Sequence, residues 1–258
     1  MRILATLHRW WGVAFCLLFA MWFASGIVMH FVPFPARTEQ PLTNGIDLSR
    51  ANTTRIDYDQ WTVAGDFDSD RPLSRIALND DEGTEIYVSS ASGKVVLTTT
   101  RSERLMNYPG SIAHWIYPTE LRHHRHAWSA LMWWLSLVAT FGAALGIILG
   151  VIRLGKAEPY HGVQRWHHIC GLIFSPFLLA WIFSGFLSMD DGRLFPHSDA
   201  LFRALHKLDF PPLASHPWLR ANVIVALCLC GLAFSLTGVV LAWRRVRNAG
   251  KLANPART

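Results

Sequence analysis

The chain has 258 residues, 51% hydrophobic and only 16% charged, with twelve Trp and a formal net charge of +6. A soluble domain carries about a quarter charged residues, and the apolar residues here fall in blocks, so the chain belongs to the membrane class. Disorder and a disulfide-stapled scaffold are excluded by the same figures, since only four residues are Cys.

Four runs reach the roughly 20 apolar residues that a helix needs to cross a bilayer: 10–32, 127–152, 166–189 and 219–243. The first is longer than the ~7–15 apolar residues of a signal peptide, and a second run follows that returns the chain. It is therefore expected to stay as an anchor. Orientation follows from Lys and Arg. Segments 1–9, 153–165 and 244–258 hold ten basic residues against one acid, Glu158, while the remainder is net acidic. Both termini are then expected in the cytoplasm, with 33–126 and 190–218 outside. The basicity is a topology signal; no basic patch indicates a nucleic-acid partner. Cys16, Cys170, Cys228 and Cys230 all lie inside the runs, and no C-x-x-C-H motif for covalent haem attachment occurs.

Between the first two runs the character changes. Pro33, Pro35 and Pro41 close the first helix and an acidic segment follows. Residues 74–78, 84–89 and 94–98 read as strands separated by turns at 79–83 and 92–93, a β-meander with a helix expected around 58–63. Asp66, Asp68 and Asp70 do not meet the calcium-loop spacing, because Arg71 and Pro72 follow them, and the expectation is a solvated acidic loop.

Laid on itself the chain shows a repeat. At an offset of 159 the first run falls on the third: His8 on His167, Gly12 on Gly171, Phe15 on Phe174, Trp22 on Trp181, Ser25-Gly26 on Ser184-Gly185. At an offset of 92 the second falls on the fourth: His114 on His206, His124 on His216, Gly146 on Gly238, Arg153 on Arg245. The expectation is an all-α membrane protein with four transmembrane helices in two tandem two-helix repeats, a small α+β domain being inserted in the first. The repeats share a direction, so their axis should lie along the membrane normal.

Histidine is costly in hydrocarbon, and neutral imidazole is the usual nitrogen ligand of haem iron. In His8–Gly12 and His167–Gly171 a glycine lies one turn along from each histidine, leaving backbone bare where a flat macrocycle would stand. Gly26–His30 repeats the spacing at the outer end. The candidate cofactor is haem b, two groups being expected. An inner site would use His8 and His167 with His168 in reserve; an outer site would use His124 and His216 with His30 as alternate. An alternative places these histidines at the membrane interface beside Trp10 and Trp166. His114, His123, His126, His197 and His206 are expected to be solvated or structural, and His161 a surface residue. Gly142, Gly146 and Gly150 at intervals of four read as close helix packing. No nucleophile–base–acid set, P-loop or dinucleotide fingerprint occurs, so electrons for any reduction must come from a partner protein or from quinol.

Leu7-His8-Arg9-Trp10-Trp11-Gly12, Ser25-Gly26-Ile27-Val28-Met29 with Pro33-Phe34-Pro35, and Ile86-Tyr87-Val88 with Ser92-Gly93-Lys94-Val95 resemble the PepSY-associated transmembrane family. So do His114-Trp115-Ile116-Tyr117-Pro118 with Leu121-Arg122 and His124, Arg165-Trp166-His167-His168, and Leu205-His206 with Leu208-Asp209-Phe210-Pro211. The resemblance implies a bacterial inner-membrane protein with helix 1 in 1–34, a PepSY-like periplasmic domain in 35–112, and the periplasmic approach and helix 2 in 113–152. A cytoplasmic loop in 153–165, helix 3 in 166–189, a periplasmic loop in 190–218, helix 4 in 219–243 and a cytoplasmic tail in 244–258 complete it. Its best-understood relatives are di-haem reductases that release iron from siderophores, which implies a ferric siderophore as acceptor and further membrane subunits as possible partners. Larger relatives carry a second soluble module where this chain has only 190–218. The alternative function is a non-redox membrane module whose external domain binds or regulates a partner protein.

Overall fold

The computed structural model describes residues 2–41, 46–154, 160–190, 192–196 and 198–253, with the side chains of 249–253 left aside. Residues 155–159 of the expected cytoplasmic loop, Asp191, His197 and the end of the tail lie outside the described residues. The chain is mostly helical and forms two compact units, one of residues 1–27 with 129–258 and one of residues 28–128.

Four helices are long and apolar enough to cross a membrane, as expected: α1 (Arg2–Phe31), α4 (Arg125–Leu154), α5 (Val163–Ser188) and α8 (Pro217–Ala253). Each outruns its hydrophobic stretch because charged and aromatic ends continue the helix past the apolar part. In the first unit Phe23, Ala139, Ala143, Phe174, Leu178, Ile182 and Cys228 form the core. Small residues set the approach: a Cβ on Gly142 would collide with the Trp11 indole, and one on Gly231 would lie 2.5 Å from Phe23. Pro176 sits inside α5 and cannot donate to the Leu172 carbonyl; the Ser175 hydroxyl donates to it instead, at 3.2 Å.

The 28–128 unit holds an antiparallel meander in the order β1 (Asn52–Ile56), β2 (Leu73–Ala77), β3 (Glu85–Ser89), β4 (Val95–Thr99). Leu73 pairs with Ser89 and Tyr87 with Leu97. Period-2 alternation sends Leu73, Tyr87 and Leu97 to one face with Trp61 and Phe67, and Ile76 and Ile86 to the other with Val95. Three strands fall within one residue of expectation; β1, whose sequence Asn-Thr-Thr-Arg-Ile is polar and mostly exposed, does not announce itself.

Two expectations need correction. Residues 58–63 are not a helix: the Asp59 carboxylate accepts from the Trp61 and Thr62 amides, closing a turn, and the helical piece is a 3-10 turn at Gly65–Asp70. Nor is the acidic segment wholly solvated, although Asp66 and Asp68 are exposed. Asp70 is buried and takes both the Nε and Nη2 of Arg37, at 3.1 and 2.9 Å. Asp68 pairs with Arg71 and Arg125, and Asp59 accepts the Tyr87 hydroxyl at 2.7 Å. Burial and the charge of Asp59 push the Tyr87 phenol well above its ordinary pKa. Beyond β4, Thr100 and Glu103 close a reciprocal capping box on α2 (Arg101–Asn107), and the chain kinks at Gly110 ahead of the short helix α3 (Thr119–His123); α6 (Asp199–His206) and α7 (Pro211–Ala214) come between α5 and α8.

Candidate functional site

His8 and His167, the histidines expected at the inner site, each rest on a glycine of a neighbouring helix. A Cβ on Gly146 of α4 would lie 2.8 Å from Cε1 of His8; one on Gly238 of α8 would lie 3.6 Å from Cε1 of His167 and 3.4 Å from Cβ of Cys16. The glycine stripe of α4 therefore does more than permit close packing: Gly142 and Gly146 receive Trp11 and His8, and Gly150 meets Leu172. Residues four apart advance about 40° round a helix, so the stripe turns from one neighbour to the next.

His167 is the more constrained of the pair. Its ring stacks on Phe234 with centroids 4.8 Å apart, and Nδ1 lies 2.8 Å from Thr237 Oγ1. The Thr237 hydroxyl spends its only proton on the Phe234 carbonyl, at 2.6 Å. It can then only accept from the imidazole, which fixes the proton on Nδ1 and the lone pair on Nε2. Metal-bound histidines are held in this way, the second ring nitrogen donating to a fixed oxygen. His8 is half-buried, and its Nδ1 is buried without a hydrogen-bond partner among the described residues, as is Nε1 of Trp11. Gly12 has open space beside it, whereas Gly171 is covered by Phe234 at 3.1 Å, so the bare backbone expected beside both histidines exists only beside His8. His168 is half-buried and lies against Tyr160, ring centroids 5.2 Å apart.

The expected outer ligands are differently placed. His124 and His216 are exposed and belong to different units. The His124 ring meets His123 edge-on, and His123 stacks on Tyr58 at 4.3 Å. His216 Nδ1 lies 3.0 Å from Ser215 Oγ and 3.3 Å from the Pro212 carbonyl. His30 is half-buried against Phe31. His161 and His126 are exposed and His114 half-buried.

Of the two roles expected of it, solvated or structural, His206 has the structural one. It ends the amphipathic helix α6 (Asp199–His206), and its Nδ1 lies 3.0 Å from Ser184 Oγ and 3.2 Å from the Trp181 carbonyl, both on α5. A carbonyl only accepts, so Nδ1 carries the proton. Phe202 stacks on the ring, and burial pushes its pKa down to about 4, which keeps it neutral at physiological pH. Asp190, not singled out from sequence, is buried at the end of α5 and accepts from Trp133 Nε1 at 3.1 Å and from the Leu194 and Phe195 amides at 2.8 Å. Desolvation would raise its pKa, but these donors hold the carboxyl below its ordinary value.

Aromatic rings join these groups. Phe234, Phe174, Phe23 and Trp181 follow one another from His167 with centroids 5.5–6.3 Å apart. A second ladder runs up α1 through Trp11, Phe15, Phe19 and Trp22. Among the described residues no cluster of three or more His, Cys, Asp or Glu side chains is placed to hold a metal ion. A haem needs only one or two axial ligands from the protein, and His8 and His167 fit that requirement: an orphaned buried nitrogen, an imidazole with a fixed tautomer, and a glycine beside each ring. No family model, curated protein or solved structure matches the chain.

Proposed function

We propose that the chain is a b-type haem electron-transfer protein of the bacterial inner membrane, a member of the PepSY-associated transmembrane family built as two tandem two-helix repeats with both termini in the cytoplasm. The observation that carries the reading is the paired contact of His8 with Gly146 and His167 with Gly238. These are the residues that the two sequence offsets superpose, so the same histidine-on-glycine arrangement occurs once in each half of the chain. Interfacial histidines hydrogen-bonded to headgroups would need neither the glycines nor the tautomer that Thr237 imposes.

In this reading His8 and His167 hold the inner haem, and His168, turned toward Tyr160, is the reserve. His124, His216 and His30 are the candidates that the sequence offers for an outer haem; the support given by the histidine–glycine contacts does not extend to these three. Haem iron when bound supplies a one-electron carrier. The chain's own residues orient the ligand nitrogens, exclude water through the Phe23–Phe174–Phe234 packing, and line the route between the two membrane faces with aromatic side chains. The periplasmic acceptor implied by the family resemblance is siderophore-bound ferric iron, whose oxygen ligands bind more weakly once the metal is Fe(II). The donor is quinol or a partner protein.

Replacing His167 by Ala should remove the inner haem from detergent-purified protein while the helix content is retained. A His167→Ala variant with the wild-type haem content would overturn the assignment.

A further inference from the structure

We infer that α2 and the kinked turn after it form an interfacial foot, whose exposed apolar side chains enter the headgroup–acyl boundary of the leaflet at the C-terminal end of α1. Leu105, Met106 and Tyr108 are 61, 42 and 53% exposed, and Pro109 beside them is exposed too. Side chains of this kind on a water-facing surface occur singly; a contiguous group marks a contact with protein or membrane. The opposite face of the same segment is anchored, because Asn107 is buried and its side-chain amide donates to the Pro33 carbonyl at 3.2 Å.

Two contacts set the depth. A Cβ on Gly110 would lie 3.1 Å from Val28 Cγ1 and 3.8 Å from Met29 Cγ, and Asn107 holds Pro33. Val28 and Met29 form the last turn of α1, whose 30 residues extend about 45 Å against a hydrocarbon core of about 30 Å. The segment that touches this turn therefore sits at the level of the headgroups. Residues 105–110 carry no charge, and Tyr108 offers the ring-plus-hydroxyl that favours such a level. The charges beside the patch are of both signs: Arg101, Glu103 and Arg104 stand in the first turns of α2, and Asp81 and Glu82 lie at its start, where the Glu82 carbonyl accepts from the Arg101 amide at 3.0 Å. Anionic lipid is thus not required, and the occupant that fits is the zwitterionic lipid interface.

The test uses the full chain in phosphatidylcholine vesicles with its four cysteines replaced by Ala. A polarity-sensitive fluorophore is placed at Leu105→Cys, Met106→Cys or, in the exposed β3–β4 turn, Ser92→Cys. The labels at 105 and 106 should emit to the blue of the label at 92. Lipids bearing a nitroxide high on the acyl chain should quench them several-fold more. Water-like emission at both positions would overturn the inference. So would blue-shifted emission that lipid nitroxides do not quench, which would mean that protein, a second copy or a partner, covers the patch.

Discussion

Thr237 decides what His167 can do. Its hydroxyl is committed to the Phe234 carbonyl, and this forces the imidazole into the tautomer whose Nε2 is a lone-pair nitrogen. Thr237→Val removes the acceptor while keeping the shape, so the ring is free to turn and its basicity falls. Loss of such a partner costs about 10–100-fold in metal affinity. Haem retention measured by titration with a competing apo-haemoprotein should weaken by that factor, with the fold unchanged by circular dichroism. Equal retention would mean that the Thr237 contact only anchors a structural histidine. No feature of the local sequence marks Thr237, because the contact joins residues 70 positions apart. His8 and His167 stood out because the chain laid on itself superposes them, each with a glycine four residues on.

At the scale of elements, helix packing and loop docking make separate predictions. Gly→Ala inside a helix gains up to about 1 kcal/mol of propensity where there is room. Gly12 has that room and Gly142 has none, since its Cβ would meet the Trp11 indole. Gly12→Ala should leave thermal stability in detergent equal or higher, and Gly142→Ala should lower it. The docking of α6 depends on pH through His206. Its folded pKa, about 4, lies below the unfolded value near 6.5, so the undocked ring takes up a proton first as the pH falls. The contribution is whole above pH 6.5 and is lost toward pH 4, with a slope on the order of 1 kcal/mol per pH unit. Hydrogen exchange over 199–206, corrected for intrinsic rates, should show easier opening at pH 5 than at pH 7; equal opening would contradict the buried, neutral ring. Amphipathic periodicity alone could place α6 on a surface, but not His206 under it, because Ser184 and Trp181 come from another helix.

For the whole molecule, what the sequence made legible follows the range of the interactions. Hydropathy located the four long helices, and period 2 with Gly turns located three strands. β1 escaped because its side chains are polar at an exposed sheet edge. The acidic residues read as solvated because their cations, Arg37, Arg75 and Arg125, arrive from distant parts of the chain. The repeat, read as two superposable halves, led to an expectation of equivalent settings for His8 and His167, and the structure gives each a glycine of a neighbouring helix. The repeat did not foretell that Phe234 would cover Gly171 while Gly12 stays open. Whether these settings hold haem is decided by the absorption spectrum of the purified protein, oxidised and then dithionite-reduced, with a pyridine haemochrome count. The expected result is a sharp reduced α band from b haem held by histidine, at one or two haems per chain. Absence of a Soret band in protein made by haem-supplied cells would contradict it and leave a membrane module with a partner-binding domain in its place.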